Sequence, residues 1–438
     1  MWWSRHKKSD QAARRLKRRR RRQRIARVGL LLFLFFAIGA AAVPPDHDLF
    51  HRVQATTATH QFDFINWETQ SFSNEIFRRL APPPVPQSAA GRRDLVQRYL
   101  DYEQQVRDIR AELTAIYAAA EPSPGKATAL EARLSRIQAA QAEIAPQVET
   151  ILAQQIESVL RDEGFAINGQ VITPLAFRFI DPPTALIVSP RDRIERIHFV
   201  GLEPGLEERT RAEIEAGLEG RGDVSTYVTN IGGLASYPTM VISYPYLPWL
   251  IEVVAHEWVH NYFFTFPTNL AWGYEAMPHM RTLNETTADL VGKEIGRAVI
   301  LRYYPDWVDH LPPLDDSGQP AVAEPGEFDL AMRRIRQRVD DLLAEGAIEE
   351  AEAYMEQERL KLVEKGYNLR KLNQAYFAFH GAYTLGPASI DPTGQHLRQL
   401  RASSETLKAF TDRVGWLNNY DDFLAWLAEE GIPVETAD

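Results

Sequence analysis

The sequence predicts an α+β fold: a small sheet and a mostly helical C-terminal half, preceded by an N-terminal transmembrane anchor and a helical hairpin. Three observations carry this prediction. Residues 28–43 form an uncharged apolar run, and residues 93–164 have apolar side chains at helical spacing. From residue 165 onward, segments rich in β-branched and aromatic residues precede helical patterns, an order typical of α+β proteins.

The composition of the 438 residues is that of an ordinary globular protein, with 45% hydrophobic and 25% charged residues. The chain has no cysteine, which excludes disulfides, thiol catalysis and cysteine-based zinc sites. Any metal must therefore be bound by His, Asp or Glu. The net charge of -10 is uneven: residues 1–27 carry thirteen Lys/Arg and one acid, about +12, which leaves about -22 for the remainder.

The N-terminus is predicted to be a basic cytoplasmic tail, residues 1–27, followed by a transmembrane signal anchor, residues 28–45. At about 1.5 Å per residue, the apolar run spans roughly 24 Å, a little short of the ~30 Å hydrocarbon core. Basic residues before such a run place the N-terminus in the cytoplasm and the rest of a single-pass protein outside it, at the cell membrane. The alternative is a signal peptide cleaved near Ala40, which would leave a secreted protein. The basic run is assigned to topology, so no nucleic-acid partner is predicted.

A linker with a short helix, residues 46–92, and the helical hairpin, residues 93–164, follow the anchor. Pro82, Pro83 and Pro84 indicate a stiff linker. Pro146 is expected to kink or divide the second helix of the hairpin. The hairpin is interpreted as a packing module, and a binding surface for a protein partner is the alternative.

The catalytic core is placed at residues 165–302, and residues 303–438 are predicted to be a helical subdomain that closes a cleft. A strand pair is expected around Gly232 and Gly233, and helices dominate after about residue 247. Strands are predicted within residues 167–180, 185–188, 194–200, 224–231 and 237–244.

An H-E-x-x-H motif, His256-Glu257-Trp258-Val259-His260, lies in a helical segment. Residues four apart lie on the same face of a helix, so both imidazoles can point at one metal ion. Glu257 lies on a neighbouring face, where it can reach a water molecule that the metal activates. The competing interpretation is a structural pair of histidines.

A second helical segment downstream contains Asn284, Glu285 and Asp289. Catalytic zinc usually has three protein ligands, and Glu285 can be the third. Asp289, one turn later, is placed to accept a hydrogen bond from the free ring nitrogen of a ligating histidine. Glu275 and His279 are weaker candidates for the third ligand, and a solvated helix face is the structural alternative.

Together, H-E-x-x-H and the downstream N-E-x-x-x-D resemble the motif pair of the gluzincin metallopeptidases, the thermolysin-like and related aminopeptidase group. The resemblance covers only about residues 250–297 and implies a zincin-like core. The implied roles are one Zn²⁺ ion bound by His256, His260 and Glu285, Glu257 as general base, and support from Asn284 and Asp289.

The resemblance has one departure, because the 24 residues between His260 and Glu285 are a few more than in thermolysin-like enzymes. Residues 262–281 would then form a longer loop that shapes the cleft. The metzincin pattern does not fit, since it requires Gly and His where this chain has Phe263 and Phe266.

Further site residues are expected in two segments. Tyr376, His380 and Tyr383 are spaced to share one face of a C-terminal helix and are candidate donors to the reacting carbonyl oxygen, with core packing as the alternative. Gly232 and Gly233 permit close backbone approach, so a peptide could add there as a strand, with a simple hairpin turn as the alternative.

These features predict a membrane-anchored zinc peptidase that hydrolyses peptide or protein substrates outside the cytoplasm. Two alternatives stay open: an inactive zinc-binding scaffold of the cell envelope, and a zinc hydrolase of a non-peptide amide. The intact Glu257 argues against the scaffold, because an inactive protein need not keep the base.

Overall fold

The computed structural model describes residues 47–118, 124–386 and 388–434 and divides the chain into two compact units, Met1–Ala58 and Thr59–Asp438. The described part of the first unit is a single helix, α1 (His47–Thr57). All of the features described below, other than the membrane prediction, belong to the second unit.

The prediction of a transmembrane anchor is corrected by the structure. Throughout the described ranges, no helix combines the length and the apolar character needed to cross a membrane. The predicted span, residues 28–43, itself lies outside the described residues. The structure therefore contradicts the predicted anchor and, with it, the membrane as a partner, the single-pass topology and the extracytoplasmic location.

Three helices open the second unit: α2 (Phe64–Leu80), α3 (Ala89–Ala118) and α4 (Pro124–Asp162). Helices α3 and α4 form the predicted hairpin. Of the two outcomes expected at Pro146, a division of the helix is contradicted, because α4 continues through the proline for another four turns. The residues that follow are fully buried in the main core, among them Val148, Ile151 and Leu152. Tertiary packing of this kind outweighs the loss of one backbone hydrogen bond at the proline. The hairpin is thus a packing module, and no protein partner is assigned to it.

The strands form three small sheets rather than one. The first pairs β1 with β2, the second has the order β3-β8-β7, and the third has the antiparallel order β5-β4-β6. The strands are β1 (Ala166–Ile167), β2 (Gln170–Val171), β3 (Phe177–Phe179), β4 (Thr184–Pro190), β5 (His198–Leu202), β6 (Val224–Thr229), β7 (Gly233–Leu234) and β8 (Thr239–Val241).

The predicted strand pair around Gly232 and Gly233 is wrong. The first partner, β6, pairs with β4, with Val228 opposite Leu186. The second partner, β8, lies in the other sheet, between β3 and β7. Residues 230–232 connect the two sheets, and Gly233 begins β7, so the two glycines do not form a hairpin turn between β6 and β8. Alternation of side chains indicates a strand, but it does not identify the strand's partner.

Helices make up the rest of the unit. Helix α5 lies between strands, a short 3-10 helix (Pro305–His310) follows α8, and α9 with α10 forms a second core of its own. The helices are α5 (Glu208–Glu219), α6 (Leu247–Phe263), α7 (Asn269–Trp272), α8 (Pro278–Tyr303), α9 (Glu327–Ala344), α10 (Ile348–Glu364), α11 (Gln374–His380), α12 (Thr393–Ser403), α13 (Leu407–Gly415) and α14 (Tyr420–Glu429).

Helices α6 and α8 cross in close contact at the centre of the main core. Two glycines of α8 permit this contact. A β-carbon at Gly292 would lie 2.9 Å from the carbonyl oxygen of Glu252 and 3.2 Å from the backbone nitrogen of His256. A β-carbon at Gly296 would lie 2.7 Å from Cγ of Glu252. The helices run antiparallel, because Gly296 lies beside Glu252 while Asn284 lies beside His260.

Candidate metal centre

Three side chains from α6 and α8 converge on one point. Nε2 of His256 and Nε2 of His260 are 3.0 Å apart, and Oε2 of Glu285 lies 3.3 Å from the first and 3.5 Å from the second. The i, i+4 spacing puts both imidazoles on one face of α6, and the helix crossing brings Glu285 against them. These are the three ligands that the sequence predicts.

The group has the properties of a metal site. All of its candidate ligand atoms lie within 4.8 Å of one another. Metal–ligand distances of about 2.0–2.2 Å place tetrahedral ligand atoms about 3.3–3.5 Å apart, close to the separations found here. Oε2 of Glu285 is buried without a hydrogen-bond partner, as expected of a carboxylate oxygen that serves as a metal ligand. His256, His260 and Glu285 can therefore hold a metal ion.

Without a metal, the group is a coupled acid–imidazole cluster. Burial alone would raise the pKa of Glu285, but the charge of His260 and the close approach of both imidazoles hold it well below its ordinary value. Burial opposes a charge on His260, yet Glu285 raises the pKa of His260 to about 9. Glu285 is thus ionised and His260 is protonated. A metal ion that binds the cluster therefore displaces a proton from His260.

The orientation of His260 is fixed by Asn284. Nδ1 of His260 lies 2.7 Å from Oδ1 of Asn284, whose own amide donates to the carbonyl of Leu270 at 2.9 Å. Because Nδ2 of Asn284 donates to Leu270, the atom that faces His260 is the amide oxygen, Oδ1. His260 then donates from Nδ1 and directs the lone pair of Nε2 at the cluster.

Asp289 does not take the role that its spacing suggests. Its carboxylate accepts a 2.7 Å hydrogen bond from Nζ of Lys293, one turn later on α8. Asp289 nevertheless lines the same cavity as the three candidate ligands. Support of a ligand histidine is therefore found at Asn284, and Asp289 is part of an ion pair in the cavity wall.

Glu257 is buried beside the metal ligands, with 8% of its surface exposed. Burial raises its pKa, while the two histidines and a hydrogen bond from the backbone of Ala235 oppose the rise. Strand β7 packs directly on this side chain, since a β-carbon at Gly233 would lie 2.5 Å from Oε1 of Glu257. Backbone from residues 233–235 thus holds the carboxylate in place.

A cavity of about 650 Å³ opens onto the group. The floor of the cavity is formed by Glu257 and by the three candidate ligands His256, His260 and Glu285, which are called the metal group below. One wall is formed by residues 230–235, including Gly232 and Gly233. Strand β7 is at the edge of its sheet and borders this cavity. The volume is that of a site for a substrate of moderate size.

The three predicted donors of the C-terminal segment separate in the structure. Tyr383 lines the cavity with its ring centroid 6.3 Å from that of His256. Helix α11 ends at His380, before Tyr383, so the three residues do not share one helical face. Tyr376 belongs to the second core, and His380 is exposed, packed on Tyr376 and Tyr227 away from the cavity lining. Only Tyr383 of the three is at the site.

Tyr274 is a site residue that the sequence reasoning missed. Its hydroxyl donates to Oε1 of Glu285, and burial raises its pKa well above the ordinary value, with the charge of Glu285 adding to the rise. Tyr274 comes from the loop between α6 and α8, which the sequence predicts to shape the cleft. Its sole signal in the sequence is its position in that loop, close before Asn284 and Glu285.

The two weaker ligand candidates lie elsewhere. Glu275 accepts two hydrogen bonds from Arg196, and His279 stacks on Tyr420 with ring centroids 4.6 Å apart. Neither belongs to the metal-binding group.

No protein-family model, curated protein or solved structure matches this chain. Its function is therefore inferred from the site itself.

Proposed function

We propose that this protein is a zinc-dependent peptidase in which Glu257 is the general base. The observation that carries the proposal is a buried carboxylate that is not a ligand but faces the same cavity as the three ligands. Two imidazoles and one carboxylate, with an open cavity on the remaining side, suit catalytic zinc. A purely structural zinc site would have four protein ligands and no adjacent base.

The chemistry divides between the metal and the chain. Bound zinc lowers the pKa of water and polarises a carbonyl oxygen. Glu257 accepts the proton from the attacking water and donates it to the leaving amine. The raised pKa of Glu257 suits this exchange, because a base with a pKa closer to neutrality also serves as an effective acid.

Tyr274 and Tyr383 are the donors on the other side of the cavity. Loss of hydration at the two hydroxyls raises the pKa of both well above the ordinary value, and the charge of Glu285 adds to the rise, so both hydroxyls stay protonated. This holds although the residue Tyr383 as a whole is 37% exposed, because its hydroxyl is the part that faces the candidate ligands. A protonated hydroxyl beside the ligands can donate to a carbonyl oxygen as negative charge develops there. Tyr383 is the better candidate, because the hydroxyl of Tyr274 is held in a close hydrogen bond to Glu285, whereas the hydrogen-bond interaction of Tyr383 with Glu285 is the weakest of the influences on its pKa.

The cavity wall favours a peptide over another amide. Strand β7 presents an extended edge alongside Glu257, and a peptide can pair with such an edge through its own backbone. A small non-peptide amide has no extended backbone that could pair with a strand edge. Peptide hydrolysis is therefore the reaction that we propose.

The test is metal content and peptide cleavage by the full chain. One zinc per chain is expected in the wild type, strong loss of zinc in Glu285→Ala, and retained zinc without cleavage in Glu257→Gln. Glu213→Gln is a matched control, because Glu213 is an exposed carboxylate on α5. Elemental analysis gives the zinc content, and mass spectrometry of a mixed peptide pool gives the cleavage.

Absence of zinc in the wild type would overturn the proposal. Zinc binding without cleavage of any peptide would leave the metal site but contradict the peptidase.

A further inference from the structure

Arg196 is a buried cation in the wall of the cavity. It precedes β5, and its side chain is 5% exposed. The guanidinium carbon lies 5.2 Å from the ring centroid of Phe199 and 5.2 Å from that of Tyr274. Tyr274 in turn donates to Glu285, so a single tyrosine ring separates this cation from the metal group.

The hydrogen bonding of Arg196 is incomplete. Nη2 donates to both carboxylate oxygens of Glu275 at 3.0 Å, and Nε is buried with no partner within the described part of the chain. A guanidinium has five N–H donors in a planar fork that matches a carboxylate in bidentate geometry. Here one nitrogen serves both oxygens, and the side chain of Glu275 is 63% exposed. This pair leaves most of the fork unused.

A second arginine lies behind this wall of the cavity. Arg281 is 3% exposed and donates to the backbone carbonyls of Tyr274 and Glu275. The charges of Glu275 and Glu285 both act on Arg281, and Glu285 is committed to the three candidate metal ligands. Among the described residues, this leaves Glu275 as the acid that faces the two guanidinium groups, so a further carboxylate is the ligand that compensates them.

The other cation of the cavity is already compensated. Lys293 donates to Asp289 at 2.7 Å, and Glu252 lines the same part of the cavity. Asp289 alone balances the charge of Lys293, so Lys293 has no unpaired positive charge to offer. A carboxylate that enters the cavity is consequently attracted to the Arg196 side and not to the Lys293 side.

We infer that Arg196 determines specificity by binding a carboxylate of the substrate. The inference rests on the proposed peptidase function and names its substrate class, peptides with an acidic side chain or a free C-terminus near the cleaved bond. An extended peptide advances about 3.3 Å per residue. With one tyrosine ring between Arg196 and the metal group, the carboxylate belongs to a residue within about two positions of that bond.

The test uses one synthetic peptide pool prepared in four versions: with Asp and Glu or with Asn and Gln, each with a free or an amidated C-terminus. Binding is measured as retention on the immobilised, zinc-loaded full chain carrying Glu257→Gln, and cleavage is measured with the wild type. Versions with the recognised carboxylate should be retained roughly ten- to hundredfold more strongly, the range for hydrogen bonds to charged groups. Preference for acidic side chains or for the free terminus identifies the source.

The variants assign this preference to Arg196. Arg196→Gln should abolish it, and Arg209→Gln should keep it, because Arg209 is an exposed arginine on α5. Glu275→Gln removes the competing acid and should raise the preference severalfold. Equal retention of all four versions, or a preference that survives Arg196→Gln, overturns the inference.

If Arg196→Gln does not fold, as judged by circular dichroism, Glu275→Gln decides alone, and an unchanged or lowered preference overturns the inference. A carboxylate preference in binding without cleavage by the wild type would contradict the proposed peptidase but support the role of Arg196. Cleavage at equal rates for all four versions of the pool would support the proposed peptidase but contradict the role of Arg196.

Discussion

Gly233 and Glu257 are in direct contact, and the contact leaves no room for a side chain at residue 233. A β-carbon there would lie 2.5 Å from Oε1, 2.7 Å from Cγ and 2.8 Å from Cδ of Glu257. The sequence suggested that Gly233 lets a substrate approach the backbone. The structure gives the glycine a second role, since its bare backbone sets the position of Glu257, the proposed general base.

Replacement of Gly233 by Ala should therefore impair turnover more than substrate binding. A displacement of a catalytic group by about 1 Å can lower the rate roughly 100-fold. We expect kcat for a cleaved peptide to fall by about that factor, with zinc content unchanged. The matched control is Gly232→Ala, whose β-carbon meets only the ring of Trp249, at 3.2 Å. Equal kcat in the two variants would contradict the assignment.

Asn284 and Asp289 should differ in their effect on metal affinity. Loss of a residue that orients a ligand histidine typically costs 10- to 100-fold in affinity, and we expect roughly that for Asn284→Ala. Asp289→Asn should change the affinity much less, because Asp289 is paired with Lys293. Competition with a fluorescent zinc chelator measures both. The reverse order would restore the role that the sequence predicted for Asp289.

Tyr383 and His380 provide a second contrast. Tyr383→Phe removes a donor beside the metal group and should lower kcat roughly 100- to 1,000-fold, as removal of one oxyanion donor does elsewhere, while zinc stays bound. His380→Ala should leave kcat within about threefold, since His380 lies outside the cavity lining. A strong loss of turnover in His380→Ala, with the fold intact, would show that the cavity is not the reacting site.

Glu252 should make stability depend on pH. Burial raises its pKa to about 7 from 4.5, with Lys293 opposing the rise and Asp289 adding to it. The folded state therefore binds the proton more tightly than the unfolded state. The stability that this provides is fully present below about pH 4.5 and is lost as pH rises through 7.

Glu252→Gln removes this dependence. We expect the variant to gain up to about 3 kcal/mol over the wild type at pH 8, and little at pH 4.5. Urea unfolding of the chelator-treated proteins at both pH values checks this. A difference that is the same at both would mean that Glu252 titrates normally.

The metal group could be predicted from the sequence because its geometry is local. The spacing of His256 and His260 within one helix determines which face both occupy, and Glu285 follows in the next long helical segment. Pairing between distant segments is not local in this sense. The pairing of β6 with β4 depends on the core as a whole, so the sequence pattern assigned β6 a wrong partner.

Residues in loops were the least predictable part of the site. Tyr274 follows no helical or strand periodicity, and Arg196 falls within the predicted strand 194–200 but precedes the observed β5. The roles of both residues appear only when the chain segments are brought together at the cavity. Tyr383 was found for an incorrect reason, since the helix that was to present it ends at His380. The anchor prediction failed for a different reason: it rested on an apolar run and the basic residues before it, and no helix among the described residues is long and apolar enough to cross a membrane.

The contact of α6 and α8 through Gly292 and Gly296 separates two functions of the molecule. The candidate metal ligands lie on two helices whose backbones touch, and this contact sets the spacing of the helices. The connecting chain supplies two further contacts, from the carbonyl of Leu270 to Asn284 and from the hydroxyl of Tyr274 to Glu285. Glu275 belongs to the same connecting chain and binds Arg196. Substitutions in residues 264–277 that keep the contacts of Leu270 and Tyr274 can therefore alter which substrates are accepted without moving His256, His260 or Glu285. Substrate preference can diverge during evolution while the reaction is preserved.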